Sequence, residues 1–306
     1  MSPQNQPKQT KAERTAAARE QARLIREAEQ KRRQRNAWLI RGGVVVVAVA
    51  IIAIIAVVVV NGLKAGAPIS ASGPVPANTN AYGGVVVGKN GAVQAPVASA
   101  SAVDRGTLPP APTVPPTAVS DLSGFGIAAS GAGKPVQVVV YLDFICPVCK
   151  AFETTNASVL KDLADAGKIT YEYRPAGLLD NHSTTNYSSR SAAAAACVAN
   201  SAPDKYLDFA AKLYANQPPE NGAGLTNDVL KQYAKDLGAN IDSCVDDKTY
   251  RPLAAYMTQQ AAVHGISGTP SIFVDGQQFQ WKTPDLSDFQ PFVQGIIDAK
   301  AKPAGS

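Results

Sequence analysis

The stretch VVVYLDFICPVCK, Val138 to Lys150, runs from a β-branched and aromatic segment directly into two cysteines three positions apart. With KPVQ before it, the apolar segment is long enough for one buried central strand. The residues that follow, PVCKAFETTNASVLKDLADAG, place apolar side chains near helical spacing and end in Gly167, a candidate helix C-cap. KITYEYRP then alternates in character and stops at Pro175, as a second strand would. Strand, helix and strand of these lengths predict a βαβ unit.

Downstream, about 184–265, no strand-like run occurs. SSRSAAAAACVANS, DKYLDFAAKLYANQ, TNDVLKQYAKDLG and YRPLAAYMTQQAAVHG each predict a helix bounded by polar, Gly or Pro punctuation. TPSIFVDG is a strand closed by an Asp-Gly turn, QQFQW its candidate partner, and PDLSDFQPFVQGIIDAK a closing helix. The order is βαβ, a helical block, then ββα, an α/β (α+β) pattern with an all-helical insertion. No internal repeat is present.

Three chemistries compete for Cys146 and Cys149. A tetrahedral zinc site needs a second Cys-x-x-Cys pair or two closely spaced histidines. Here Cys197 and Cys244 stand 47 positions apart, and the only histidines, His182 and His264, are isolated; no metal site is expected. A purely structural staple would close a tiny loop and remove little unfolded-state entropy. A redox pair fits the placement better. Pro147 suits the first position of a helix, which sets the Cys146 thiol at the helix N-terminus, where orphan N–H groups and the dipole favour thiolate over thiol. A thiolate is the attacking species in disulfide exchange, and Cys149, one turn on, would lie beneath it and resolve the mixed disulfide.

The rest of the chain sets the compartment. Residues up to Arg41 carry 11 Lys/Arg against 4 Asp/Glu, a net of +7, whereas the remainder carries 18 against 20. The basic excess therefore belongs to an N-terminal arm (1–37), not to a folded face that would bind nucleic acid. GGVVVVAVAIIAIIAVVVV, 19 uncharged residues ending at Val60, would span roughly the 30 Å hydrocarbon core as a helix. It is longer than a signal-peptide core, and Ala65-Gly66-Ala67 is followed by Pro68, an awkward cleavage point, so an uncleaved signal anchor over 38–60 is expected. Positive-inside topology leaves the arm in the cytoplasm and everything after Asn61 outside. Residues 61–120, rich in Pro, Gly, Ala, Ser and Thr, predict a disordered tether with a reach of roughly 40–45 Å. The globular domain is then 121–306. All four cysteines fall on the outer side, where an even number suggests pairing.

VVVYLDFICPVCK together with GISGTPSIFVDG resembles the thioredoxin superfamily, and the helical block between them resembles DsbA-like thiol:disulfide oxidoreductases, over about residues 133–300. The resemblance implies a thioredoxin fold and a redox-active Cys146–Cys149 disulfide, with Pro147 and Val148 between the sulfurs and no other cofactor. It also implies a facing loop in which Pro270 is cis and Thr269 pairs its backbone with a bound peptide. The implied substrates are unfolded secreted or envelope polypeptides with cysteines, and the implied reoxidase is a quinone-linked membrane protein of DsbB or vitamin K epoxide reductase type. A second disulfide, Cys197–Cys244, is implied in the helical block. Two departures stand out: Val148 where strongly oxidising members often carry His, and Val140 where several relatives place a buried acid. Asp143, three residues before Cys146, is the nearest carboxylate and the candidate for proton transfer; His264 is read chiefly as a helix-end residue.

Overall fold

The computed structural model describes residues 23, 31, 68–96, 100–114, 116 and 119–301. The chain divides into two units, Met1–Ala65 and Gly66–Ser306. Apart from Arg23 and Lys31, the expected cytoplasmic arm and membrane helix lie outside the described residues. Among the described residues no helix is long and apolar enough to cross a membrane.

The larger unit is built on a five-stranded sheet ordered β2-β5-β4-β6-β7. Its elements are β2 (Val85–Val87), β4 (Val136–Leu142), β5 (Ile169–Pro175), β6 (Ser271–Val274) and β7 (Gln277–Gln278). β4 is central because its β-branched run is apolar on both faces, and β4 pairs in parallel with β5 and antiparallel with β6. Val138, Val140 and Leu142 face the main core; Val139 and Tyr141 face a second cluster with Phe125, Ile127 and Phe273. Between β4 and β5 runs α1 (Pro147–Asp165), which buries Cys149, Phe152, Asn156, Leu160 and Ala164, a stripe at three- and four-residue spacing. It ends as expected at Gly167 (φ +66°): Lys168 N–H donates to Leu163 O and Gly167 N–H to Ala164 O, which is the Schellman pattern.

The expected tether over 61–120 is contradicted between residues 71 and 104. β1 (Ser72–Pro74) and β3 (Ala102–Asp104) form a two-stranded ribbon, and β2 pairs antiparallel with β5 in the main sheet. Val85 and Val87 are fully buried. Asn80 folds the preceding loop by accepting from Tyr82 N and Gly84 N, and its Nδ2 donates to Glu172. The physical reason is that three valines between glycines suffice for an edge strand when β5 offers an unpaired edge, and average composition does not register so short an element.

β5 alternates in sequence, yet both of its faces are covered. Glu172 and Arg174 point to its second face but are buried (2% and 0% exposed). Arg174 Nε donates to Glu172 Oε1 at 2.5 Å, and its Nη1 donates to Phe125 O and Tyr141 Oη. The rings of Tyr82 and Tyr141 lie 5.1 and 5.4 Å from the guanidinium. Gly84 is required here, since a Cβ would fall 1.8 Å from the Glu172 carboxylate.

The insertion is helical as predicted: α2 (Tyr187–Ser201), α3 (Tyr206–Ala215), α4 (Asn227–Asp236), α5 (Asp242–Asp246) and α6 (Arg251–Val263). α2 runs through its middle, with nearly every residue buried; its alanines allow neighbours on all sides. The closing helix is α7 (Phe289–Ala301). QQFQW gives only the two residues of β7 to the sheet. Phe279, whose N–H still donates to Ile272 O of β6, packs its ring against Phe289 and Phe292.

Candidate active site

β4 delivers Asp143-Phe144-Ile145 to the start of α1. Cys146 is the N-cap residue, in extended conformation, with Pro147 at the first helical position. Opposite lies the Thr269-Pro270 peptide bond, which is cis, and Cys146 Sγ is 3.2 Å from Thr269 O. Both Cys146 and Cys149 are free thiols. They differ little in exposure, 4% and 1%, and differ greatly in what their sulfurs meet. The Cys146 thiol is lowered to about 6, first by the Cys149 thiol and then by Thr269 and the N–H groups of Cys149 and Val148, against the opposing effect of burial. Cys149 is pushed well up, chiefly by burial and then by donating to the Cys146 sulfur. One thiol is thus poised as a thiolate at neutral pH and the other as a thiol. Val148 stands between them with 37% of its surface exposed, an apolar patch on the rim.

Asp143 is fully buried, and both its oxygens are engaged: Oδ1 accepts from Ile145 N (3.0 Å) and Oδ2 from Leu179 N (2.9 Å). Burial raises its carboxyl to about 7 despite these amides. It ties the loop before Cys146 to the segment after β5, and that anchoring is the role its geometry supports.

Two residues near the site carry no motif in the sequence. Gln217, just beyond α3, donates from Nε2 to Phe144 O (3.1 Å) and Cys146 O (2.9 Å), so the helical block clamps the redox loop. Glu153 lies one turn past Cys149 on α1. Its Oε2 accepts from Tyr173 Oη at 2.9 Å, and its Oε1 is buried with no partner. Burial raises this carboxyl to about 7. The residue as a whole is half-buried.

Cys197 of α2 and Cys244 of α5 are joined, with Cα atoms 6.0 Å apart. Neither histidine sits on the cysteine pair: His264 caps α6 with its ring stacked on Phe125 at 4.3 Å, and His182 faces Glu220 at 3.3 Å.

A strand leading into Cys-Pro-x-Cys at a helix N-terminus, faced by a cis-proline loop, defines a class of dithiol protein. Residues 130–294 match the thioredoxin family, and the chain belongs to it. Among curated proteins it is similar to serine/threonine-protein kinase PknE of Mycobacterium tuberculosis, 28% identical over 170 residues, which are 52% of this chain and 30% of the kinase. It is also similar to disulfide bond formation protein D of Bacillus subtilis, 28% identical over 147 residues, covering 46% of this chain and 64% of that one. The chain therefore spans less than a third of the kinase's length. Among solved structures it is similar to the reduced disulfide bond oxidoreductase DsbG of M. tuberculosis (29% identity, 59% of this chain, 93% of that chain, TM-score 0.47). A second is oxidised DsbA of the same organism (30% identity, 57% and 93%, TM-score 0.47).

Proposed function

We propose that this chain is a membrane-anchored, extracytoplasmic thiol:disulfide oxidoreductase that introduces disulfides into secreted or envelope polypeptides. The observation that carries the reading is the opposed ionisation of the two sulfurs beside the cis-proline loop. A Cys146 held as thiolate stabilises the reduced form, and a pair whose reduced form is stabilised is an oxidant. In this reading a substrate thiolate attacks Cys146 of the Cys146–Cys149 disulfide, and Cys149 leaves. A second substrate thiolate then releases Cys146. Thr269 and cis-Pro270 hold the substrate backbone against the sulfurs, Val148 offers apolar contact, and no cofactor beyond the disulfide takes part.

The apolar run at 42–60 and the basic arm before it support an anchored domain on the outer side of a bilayer. The reduced pair would then pass its electrons to a quinone-linked membrane reoxidase of DsbB or vitamin K epoxide reductase type. Equilibration of Cys146–Cys149 with glutathione, followed by assay of disulfide formation in a reduced unfolded polypeptide, tests the reading. A potential well below that of the glutathione pool, with no oxidation of the polypeptide, would make the chain a reductase instead. The likeness to part of a serine/threonine-protein kinase favours a second reading, a non-catalytic sensing or scaffold module. A Cys146→Ala chain that kept its cellular role would establish that one.

A further inference from the structure

Gln217 holds the redox loop from outside the strand and helix that build it. It is the second residue past α3, and its own N–H donates to Tyr214 O, which ties it to the helix end. Pro218 and Pro219 follow. A residue before proline is biased to extended backbone, so the Gln217 backbone is restrained from both sides. Its Nε2 carries two hydrogens, and two carbonyls of one turn accept from it, Phe144 O and Cys146 O. Among the described residues Phe144 O has no other donor, and Cys146 O has only Lys150 N besides. The Phe144 ring packs on Tyr214 at 5.2 Å, so the end of α3 grips the same turn twice. The loop's own carboxyl, Asp143, is taken up by Ile145 N and Leu179 N, which leaves these carbonyls to Gln217.

A carbonyl oxygen carries partial negative charge, and the Cys146 carbonyl belongs to the same residue as the sulfur. Left bare, it would oppose the thiolate that the N–H groups of Val148 and Cys149 favour. The Gln217 amide turns its positive end toward that oxygen and toward Phe144 O, offsetting part of their field in a buried site where charges act strongly. By fixing the turn it also sets the approach of Cys146 Sγ to Thr269 O, 3.2 Å away. We propose that Gln217 is a positioning residue for disulfide exchange, holding the turn that presents Cys146 Sγ to the start of α1 and offsetting the carbonyl charge beside it. The role rests on the dithiol–disulfide reading above and acts in its second step. There a second substrate thiolate attacks the substrate sulfur of the mixed disulfide. The bond from that sulfur to Cys146 Sγ breaks, and its electron pair stays on Cys146. Gln217 favours the charge that then sits on Sγ, and it does so through the backbone of the loop, not by touching the sulfur.

The test uses the full chain in detergent, with Cys146 and Cys149 reduced and Cys197–Cys244 intact. Gln217→Met keeps the length of the side chain and removes both donors. It should raise the titration of Cys146 from about 6 by roughly half a unit to one unit. Alkylation by iodoacetamide at pH 5 should then slow by about three- to tenfold. Equilibrium with glutathione at pH 7 should move roughly three- to fivefold toward the disulfide, a weaker oxidant. Gln217→Glu replaces the donors by a carboxylate facing the same carbonyls and should raise Cys146 further. A merely structural role would lower the denaturant midpoint of these chains and leave the titration and the glutathione equilibrium where they were. Cys146 titrating near 6 in both variants overturns the proposal.

A second measurement is independent of the variants' folding. In reduced wild type with isotope-labelled glutamine, the Gln217 side-chain amide must shift with the same midpoint as the thiolate absorbance of Cys146. That shift must vanish in the oxidised chain, where Cys146 has no proton to lose while Asp143 still titrates at about 7. An amide resonance that ignores the Cys146 midpoint overturns the role. A raised Cys146 in Gln217→Met, in a chain whose wild type cannot oxidise an unfolded polypeptide, would refute the oxidase reading and leave the positioning role standing.

Discussion

Replacing Cys149 by Ala removes the first contributor to the acidity of Cys146 and leaves the helix terminus in place. The Cys149 thiol donates a hydrogen bond to the Cys146 sulfur, and that donor ranks ahead of Thr269 and the backbone amides in lowering Cys146 to about 6. A hydrogen bond to a charged group is worth about 1.5–3 kcal/mol, and one pKa unit corresponds to about 1.4 kcal/mol. Cys149→Ala should therefore raise Cys146 by about one to two units. At pH 7 the thiolate fraction would fall from about nine-tenths to between about a half and a tenth. The ultraviolet absorbance of the thiolate, and the rate of alkylation by iodoacetamide across pH, both read this directly. Thr269→Val should give a smaller rise, because Thr269 ranks behind Cys149 among the contributors that lower the Cys146 thiol. In the intact pair, a Cys146 near 6 instead of the ordinary 9.0 stabilises the reduced form at pH 7 by about 1.4 kcal/mol, or about 30 mV. If Cys146 in the Ala variant still titrated near 6, the acidity would belong to the helix terminus and Thr269, and Cys149 would not be the first contributor.

Three further outcomes follow from the packing. Removing Cys197–Cys244 by double Ser substitution opens a loop with sequence separation 47. It should cost about 4 kcal/mol in the chain-entropy account, read as a lower denaturant midpoint, with peptide mapping under non-reducing conditions confirming the pairing in the wild type. Val87→Asp puts a charge on a fully buried position of β2; it should destabilise by more than the roughly 1.5–3 kcal/mol of burying a Val, whereas a free tether would tolerate it without change. For pH, the sign is set by Asp143 and Glu153, both raised to about 7. The folded chain keeps protons that the unfolded chain has lost, so their contribution falls as pH rises from about 4 to about 7 and is flat above. Cys146, lowered to about 6, acts oppositely and only in the reduced form. Its contribution is present above about 9 and lost as pH falls through about 6, so denaturation of the two redox states should diverge with rising pH.

The redox motif and its flanking strand and helix are legible because their signals are local and contiguous. Pro147 and Gly167 bracket α1 within one uninterrupted stretch, and a seven-residue apolar run has few places to go except the centre of a sheet. The helical block is legible for the same reason. β2 is not: it is three residues long, and the partner that makes it a strand lies more than eighty positions away. The burial of Glu172 and Arg174 is not legible either, because alternation alone cannot reveal a Tyr82 loop and Phe125 arriving from elsewhere to cover them. Glu153 and Gln217 were invisible for a related reason. A charged residue on a helix and a polar residue after one are ordinarily solvent-facing, and only the assembled core shows a carboxyl sealed beside tyrosines or an amide reaching two carbonyls of the redox loop.

The Cys197–Cys244 link makes this chain dependent on the chemistry proposed for it. Its helical block carries Gln217, the clamp on the Cys146 loop, so a newly made copy with open Cys197 and Cys244 would hold its own redox site less firmly. A mature copy could close that bond in a nascent one. Activity in a population would then grow autocatalytically from a few oxidised founders, and a brief reducing episode would leave a lag, set by the founders that survive, before the pool recovers.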